Sequence, residues 1–289
     1  HQSAWEKYWY EHISSLQTQD SKWKRACDYI TKWEEEKVKD YEYMWRWRQS
    51  WTIEDALAED WNKDLFSYHE MINNCTDDVT MRIPIEPLVG ALRHPSYPCF
   101  RNDTAALLDK NWIFTSNSFE FEPHGFGYRK YLFDLGASLY DKGAGGASQH
   151  WFIDTYKVRG IHFDRVLGWE VKRHSDPEIF KGMPSDVVDA MSYYNVPAKT
   201  ALDAKHNPLR TLRAIAKRED FVVLKIDIDH TPTEMALVQE ILDDKELAGL
   251  VDELYFEHHV MKSPLNSCCW GHSNHGTVQT SYDIFTKLR

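Results

Sequence analysis

The sequence predicts an α/β protein: a Rossmann-like, doubly wound, mostly parallel sheet preceded by an aromatic-rich helical segment. From residue 106 to residue 289, short apolar runs alternate with helix-type patterns, as in a parallel sheet covered by helices on both faces. Residues 1–105 differ in composition, because eight of the twelve tryptophans lie within the first 61 positions, mixed with charged residues. We therefore expect two domains, with the boundary at about residue 105.

The N-terminal segment is expected to contain three helices. Trp5, Trp9 and Leu16 recur on one helical face, and residues 52–64 begin with a sequence that resembles a capping box. Such a tryptophan face would pack onto the neighbouring domain, or would offer a surface to a protein partner, a sugar or a membrane interface. The prolines within residues 82–98 predict an irregular connector.

Five strands and their intervening helices are predicted in the second domain. Apolar runs bounded by turn residues place the strands at 131–133, 165–171, 192–196, 221–226 and 254–260. Apolar residues at helical spacing predict helices at residues 147–159 and 281–288. A further helix is expected to follow Thr231, with Thr231 as its N-cap and Pro232 at its first position.

Charge and hydropathy exclude two classes of interaction. The formal net charge is −11 and no Lys/Arg-rich run could follow a phosphate backbone, so nucleic acid is not an expected partner. No stretch approaches the roughly 18 to 20 apolar residues of a membrane-spanning helix, so no transmembrane segment is expected. The sequence begins at His1 rather than Met, which fits a trimmed sequence or a mature chain without its signal.

Two features suggest the secretory pathway, in the Golgi lumen or outside the cell. Asn74 and Asn102 each begin an N-x-T glycosylation sequon in a polar, turn-like stretch. The five cysteines suffice for two disulfides with one thiol left over; they are Cys27, Cys75, Cys99, Cys268 and Cys269. The alternative is a cytoplasmic protein with five reduced thiols.

The candidate site lies where the strands end. In open α/β sheets, ligands bind at the carboxyl ends of the strands, close to loops and helix N-termini. The first strand runs into Asp134 and the turn 136–138, and a glycine-rich run that includes Gly145 follows it. The second strand is followed by Glu170, a carboxylate that could accept two hydrogen bonds from a ribose diol.

This combination resembles the S-adenosylmethionine site of class I methyltransferases. The segments 131–138, 145–151 and 223–234 are similar to the FkbM-type methyltransferases, and the resemblance covers about residues 130–260. It implies methyl transfer from S-adenosylmethionine to an oxygen, often a sugar hydroxyl, so a glycan or another small hydroxylated molecule is the expected acceptor. The cofactor-binding residues that it implies are Asp134, Gly136, Ala137, Ser138, Gly145, Glu170 and Asn195.

Two departures from the family are visible. After the fourth strand the usual acidic-glycine pair is replaced by Asp229-His230. Class I folds also end with two more strands that this sequence does not show, so either the chain continues past Arg289 or the end of the sheet is built differently.

Methyl transfer to a hydroxyl also needs a base, or a metal that lowers the hydroxyl pKa. Acidic residues and histidines follow the fourth and fifth strands, and we predict Asp229, His230 and His258 as catalytic residues. Asp227, Asp229 and His258 are the predicted ligands of Mg²⁺ or Mn²⁺. Strand alternation places Glu257 and His258 on opposite faces, so not every polar residue there can join one site.

Three other classes of protein share parts of this pattern. A dinucleotide oxidoreductase would need Gly-x-Gly-x-x-Gly directly after the first strand, and the sequence lacks it there. A metal-dependent glycosyltransferase could use Asp227 and Asp229 to hold a nucleotide diphosphate, but that reading leaves residues 134–138 and Glu170 unexplained. The third is a non-catalytic structural or binding protein that retains the methyltransferase fold.

Overall fold

The computed structural model describes residues 1–11, 63–64, 66–73, 75–86, 88, 108, 110, 113–116, 118, 127–142, 148–261, 264–266, 270 and 275–289. They divide into two compact units. One unit is Ser116–His258, which we call the sheet unit, and the other combines His1–Thr115 with His259–Arg289. The C-terminal segment, which we expected in the sheet domain, thus groups with the N-terminal residues.

The sheet unit alternates strands and helices along the chain. Its strands are β3 (Lys130–Leu135), β4 (Arg165–Trp169), β5 (Met191–Tyr194), β6 (Phe221–Ile226) and β7 (Glu253–Phe256). Its helices are α2 (Ser148–Lys157), α3 (Asp176–Ile179), α4 (Ser185–Ala190), α5 (Pro208–Ile215), α6 (Thr231–Asp243) and α7 (Lys245–Ala248). The second unit contributes α1 (Ala4–Glu11), β1 (Ser67–Ile72), β2 (Val79–Ile85), a 3₁₀ turn (Pro264–Asn266) and α8 (Val278–Leu288).

The five strands form one parallel sheet in the order β5-β4-β3-β6-β7. The first strand of this sheet along the chain, β3, lies at its centre. Strands β4 and β5 follow on one side of β3, and β6 and β7 lie on the other side. The predicted α/β class and its parallel sheet are confirmed, and this order is compatible with a Rossmann-like fold. The strand order reverses between β3 and β6, which is where such folds place their ligands.

The core explains why these residues form strands and helices. Leu132, Val166 and Val223 come from three neighbouring strands, and Phe152 and Tyr156 of α2 are buried in the same cluster. Full burial of each such side chain contributes about 1.5 to 3 kcal/mol. The predicted strand 221–226 matches β6, and the helix predicted at 147–159 is confirmed as α2.

One helix boundary differs from the expectation. Helix α6 begins at Thr231, so its N-cap is His230 and not the predicted Thr231. His230 has a non-helical backbone, with φ −140° and ψ 84°, whereas Thr231 is already helical. Pro232 therefore occupies the second helical position, where its missing N–H is still harmless.

The second unit contains an antiparallel hairpin that the sequence did not predict. Strands β1 and β2 pair from Ser67↔Ile85 onward, so part of the expected irregular connector is a strand. Pro84 fits there because it faces Tyr68, whose N–H and C=O both bond to His1 and not to β2. A proline needs no N–H in such a non-hydrogen-bonded pair.

Of the helices predicted in the N-terminal segment, the described residues include only a part. The first predicted helix is present as α1, where fully buried Glu6 accepts hydrogen bonds from Ser67 Oγ (2.6 Å) and Arg289 Nη1 (2.8 Å). The helix predicted at 52–64 falls outside the described residues, except for a turn at its last two positions. In the part of the chain that the structure describes, no helix is long and apolar enough to cross a membrane.

Cys75 is exposed and free in the turn between β1 and β2. The other four cysteines and both sequon asparagines fall outside the described residues. Disulfide pairing and a secretory location therefore remain predictions.

Asp252, just before β7, should make the stability of the sheet unit depend on pH. Desolvation raises its pKa, a hydrogen bond from Val222 N–H opposes this, and the charges of Glu253 and Asp220 help to bring the value to about 6. A carboxyl with a raised folded-state pKa adds stability at acid pH, and that stability is lost as the pH rises through about 6. Because Asp252 is nevertheless exposed at the surface, solvent screening should keep the effect below about 1 kcal/mol.

Asp252→Asn should therefore melt at a higher temperature than the unsubstituted protein at pH 7.5, and this advantage should shrink at pH 5. Asparagine keeps an oxygen for Val222 N–H. Asp186→Asn is the control, because the hydrogen bond from Lys157 lowers the pKa of Asp186 and its titration falls below this range. A melting difference for Asp252→Asn that is equal at both pH values would contradict the assignment.

Candidate functional site

The candidate site lies at the carboxyl ends of β3, β4 and β6. These strands are in register there, since Leu135 pairs with Trp169 on one side and with Ile226 on the other. Gly136, Glu170 and Asp227 therefore leave the sheet at the same level. The sequence prediction that these three positions share one edge is supported by the strand order.

The turn after β3 is packed directly against the exit of β6. Gly136 has φ +82°, and its N–H and that of Ala137 both donate to Trp169 O, at 2.9 and 3.1 Å. A Cβ at residue 136 would overlap the Asp227 carbonyl oxygen and lie 2.8 Å from its carbon. Asp227 N–H in turn donates to Leu135 O at 3.1 Å. Only glycine combines this φ with such a close approach of two backbones.

Glu170 is partly exposed and ties the turn to the segment after β4. Its Oε2 accepts from Ser138 N–H at 3.0 Å, and its Oε1 accepts from Lys172 N–H at 2.6 Å. Ser138 has φ +49°, and its carbonyl accepts from Tyr193 Oη at 2.6 Å. Burial, together with the nearby carboxylates, raises the pKa of Tyr193 above its ordinary value, so this phenol stays a donor.

Asp134 is turned into the protein. Its carboxylate is fully buried, with Oδ1 3.0 Å from Lys225 Nζ and Oδ2 accepting from Gln149 Nε2 at 3.2 Å. The resemblance had implied that Asp134 wraps the amino-acid part of the cofactor. In the structure both of its oxygens already contact protein side chains, so it supports the turn from beneath.

Asn195, expected near an adenine, is also engaged by the protein. Its Nδ2 donates to the carbonyls of Glu170 and Lys172, and its Oδ1 accepts from His174 N–H at 2.9 Å. The side chain therefore clamps the backbone that carries Glu170. Gly145, the remaining expected cofactor residue, lies outside the described residues.

The segment after β6 carries two of the three predicted catalytic residues, and the third, His258, follows β7. Asp229 is exposed and has φ +54°, and exposed His230 contacts Thr233 Oγ1 through its Nδ1 at 2.8 Å. Non-glycine residues with positive φ are costly and cluster at functional sites. His258 differs, because it is buried beside the ring of Phe256 and is poorly placed to meet a substrate.

The carboxylates of Asp227 and Glu257 approach within 4.8 Å of each other. Of the three predicted metal ligands, the structure thus brings Asp227 next to Glu257, while Asp229 lies in the exposed turn and His258 is buried. Oxygen ligands of this kind suit Mg²⁺ or Mn²⁺. Lys225 places one positive charge against the carboxylates of Asp134 and Asp227. Together with Glu170 and Glu257 these groups leave a net negative charge at this edge, which favours a cationic ligand.

Lys225 is the site residue that the sequence reasoning missed. A charged residue inside an otherwise apolar strand was the available signal, because a lysine in such a strand is rarely buried unless it is paired.

Comparisons of the chain with protein-family models, with curated proteins and with solved structures returned no match.

Proposed function

We propose that the sheet unit binds S-adenosylmethionine and transfers its methyl group to a hydroxyl of a sugar or another small acceptor. The observation that carries the proposal is the link between Glu170 and the glycine turn through Ser138 N–H, at the point where the strand order reverses. A carboxylate beside a glycine turn at this point suits a ribose and a cationic sulfur.

The residues fit the cofactor once the roles expected for Asp134 and Asn195 are revised. Each Glu170 oxygen accepts one backbone hydrogen bond and keeps a lone pair for a ribose hydroxyl. Asp227, whose side chain is 29% exposed, is the carboxylate beside the turn that can face a cation. Asp134 and Asn195 then act as supports and make no direct contact with the cofactor.

Bound S-adenosylmethionine would supply the methyl group by loss of its sulfur–methyl bond, which leaves S-adenosylhomocysteine. The chain's own task is to receive the proton of the acceptor hydroxyl as that oxygen forms its bond to the methyl carbon. His230 is the proposed base, because Thr233 occupies Nδ1 and Nε2 stays available for the proton. Exposed Asp229 would orient the acceptor by accepting a hydrogen bond from a neighbouring hydroxyl.

The test is ligand-dependent stabilisation followed by titration calorimetry. S-adenosylhomocysteine should raise the melting temperature, because binding to the folded protein adds RT ln(1 + L/Kd), where L is the ligand concentration, to the free energy of unfolding, about 2.7 kcal/mol at a hundredfold excess over the dissociation constant. UDP-glucose with Mn²⁺ should leave it unchanged. Stabilisation by UDP-glucose with Mn²⁺ alone would instead favour a glycosyltransferase that uses Asp227 and Glu257.

A second candidate is a non-catalytic protein that retains this fold. It is favoured by the hydrogen bonding of the turn, since the N–H groups of Gly136, Ala137 and Ser138 all donate to the protein itself. In a binding site for a carboxylate ligand, some of these donors would be expected to face the ligand. Stabilisation by neither ligand would favour this candidate.

A further inference from the structure

Lys225 is a charged residue in the interior of the sheet. All six residues of β6 are buried, and Lys225 is only 4% exposed. Its register partner on β3 is Asp134, so the two charged side chains lie side by side, one level before the last pair of the two strands. Burying an ammonium group is costly unless its partners compensate.

The ammonium group of Lys225 contacts more than one partner. Nζ lies 3.0 Å from Asp134 Oδ1 and 3.4 Å from Asp227 Oδ2. It also donates to the carbonyl oxygens of Leu135 at 3.3 Å and of Gly136 at 3.0 Å. One cation therefore joins the backbone that leaves β3 to the carboxylate that follows β6.

These contacts keep the lysine charged. Burial alone would lower the pKa of Lys225, but the carboxylates of Asp134 and Asp227 outweigh it and raise the pKa above the ordinary lysine value. Neutralising Asp134 would need only one contact. The contacts to Leu135, Gly136 and Asp227 are additional, and all of them lie at the loop edge.

We infer that Lys225 is a positioning residue of the ligand site, which fixes the turn 136–138 against Asp227. Because Ser138 N–H holds Glu170, the same lysine sets the spacing between the carboxylates of Glu170 and Asp227. The inference rests on the proposed function only for the identity of the ligand. The order of the two loops can be measured without any ligand.

The first measurement is hydrogen–deuterium exchange of the unliganded, unsubstituted protein. Peptides covering 135–138 and 226–228 should exchange nearly as slowly as central strand β6, although they include loop residues. A peptide covering 197–206 serves as the comparison, since Lys199 N–H is bonded to His206 O within a loop. Exchange at 135–138 as fast as in that loop would overturn the inference.

The second measurement separates positioning from charge neutralisation. Lys225→Met leaves Asp134 buried without its cation, whereas Asp134→Asn with Lys225→Met removes both charges and should recover most of the lost stability. The double variant should nevertheless exchange at least tenfold faster at 135–138 and 226–228, and bind S-adenosylhomocysteine at least tenfold more weakly. Exchange and affinity equal to those of the unsubstituted protein would overturn the inference.

Lys157→Met is the matched control. Lys157 also pairs with an aspartate, Asp186, at 3.1 Å, but its side chain is 46% exposed and it lies in α2. This variant should change neither loop exchange nor affinity. If the unsubstituted protein binds no S-adenosylhomocysteine, the proposed function fails, and exchange in the double variant alone decides whether Lys225 positions the loops.

Discussion

Gly136→Ala is expected to lower the free energy of unfolding of the sheet unit by at least about 3 kcal/mol. Part of the loss is conformational, because alanine at φ +82° costs about 1 kcal/mol or more. The larger part is steric, since the new methyl group would overlap the Asp227 carbonyl. That atom belongs to the backbone, so the whole exit of β6 must shift. Binding of S-adenosylhomocysteine should be lost as well.

Gly182→Ala separates these two contributions. Gly182 has a similar φ of +74°, but the nearest atom to its added Cβ is Asp141 Oδ2 at 3.7 Å, an ordinary contact. This control should lose only about 1 kcal/mol and keep its ligand affinity. Urea denaturation of both variants measures the difference, provided that their m-values agree. If both variants lose the same free energy of unfolding, the close approach to Asp227 does not contribute to the stability of the protein.

The sheet was predictable because its signals are local. An apolar run such as residues 221–226 is long enough for one buried strand, and the helix after it is marked by Pro232 and its periodic apolar residues. Alternation of such units implies a parallel sheet, and the carboxyl-end rule then brings Gly136 and Glu170 to one edge. None of these steps needs a contact between distant residues.

The pairing of Asp134 with Lys225 was not predictable in the same way. It depends on β3 and β6 being neighbours in register, although two other strands separate them along the chain. The same applies to Asn195, whose partners lie after β4. Sequence analysis therefore found polar residues at the carboxyl edge of the sheet but could not distinguish those that stay accessible from those that hold the loops.

The hairpin β1–β2 was missed for a different reason. Pro84 normally argues against a strand, and it is tolerated because Tyr68 turns its backbone groups toward His1. That arrangement depends on contacts across the second unit, which composition does not reveal.

Glu170→Ala is expected to weaken the binding of S-adenosylhomocysteine at least about 30-fold, or about 2 kcal/mol, while the protein stays folded. The carboxylate would accept both ribose hydroxyls, and hydrogen bonds to a charged acceptor are the stronger kind. It also receives Ser138 N–H, so its removal frees the turn. Titration calorimetry gives the affinity, and a thermal melt confirms the fold.

Asp164→Ala is the matched control for this prediction. Asp164 also receives a backbone N–H of the sheet, from Lys130 at 2.7 Å, but at the opposite end of β3. Its removal should cost a similar hydrogen bond without changing the affinity. If both variants bind equally well, Glu170 does not meet the ligand, and the assignment of the ribose site to this edge would have to be withdrawn. If only Glu170→Ala loses affinity, the loss belongs to the carboxyl edge, where the proposed function requires it.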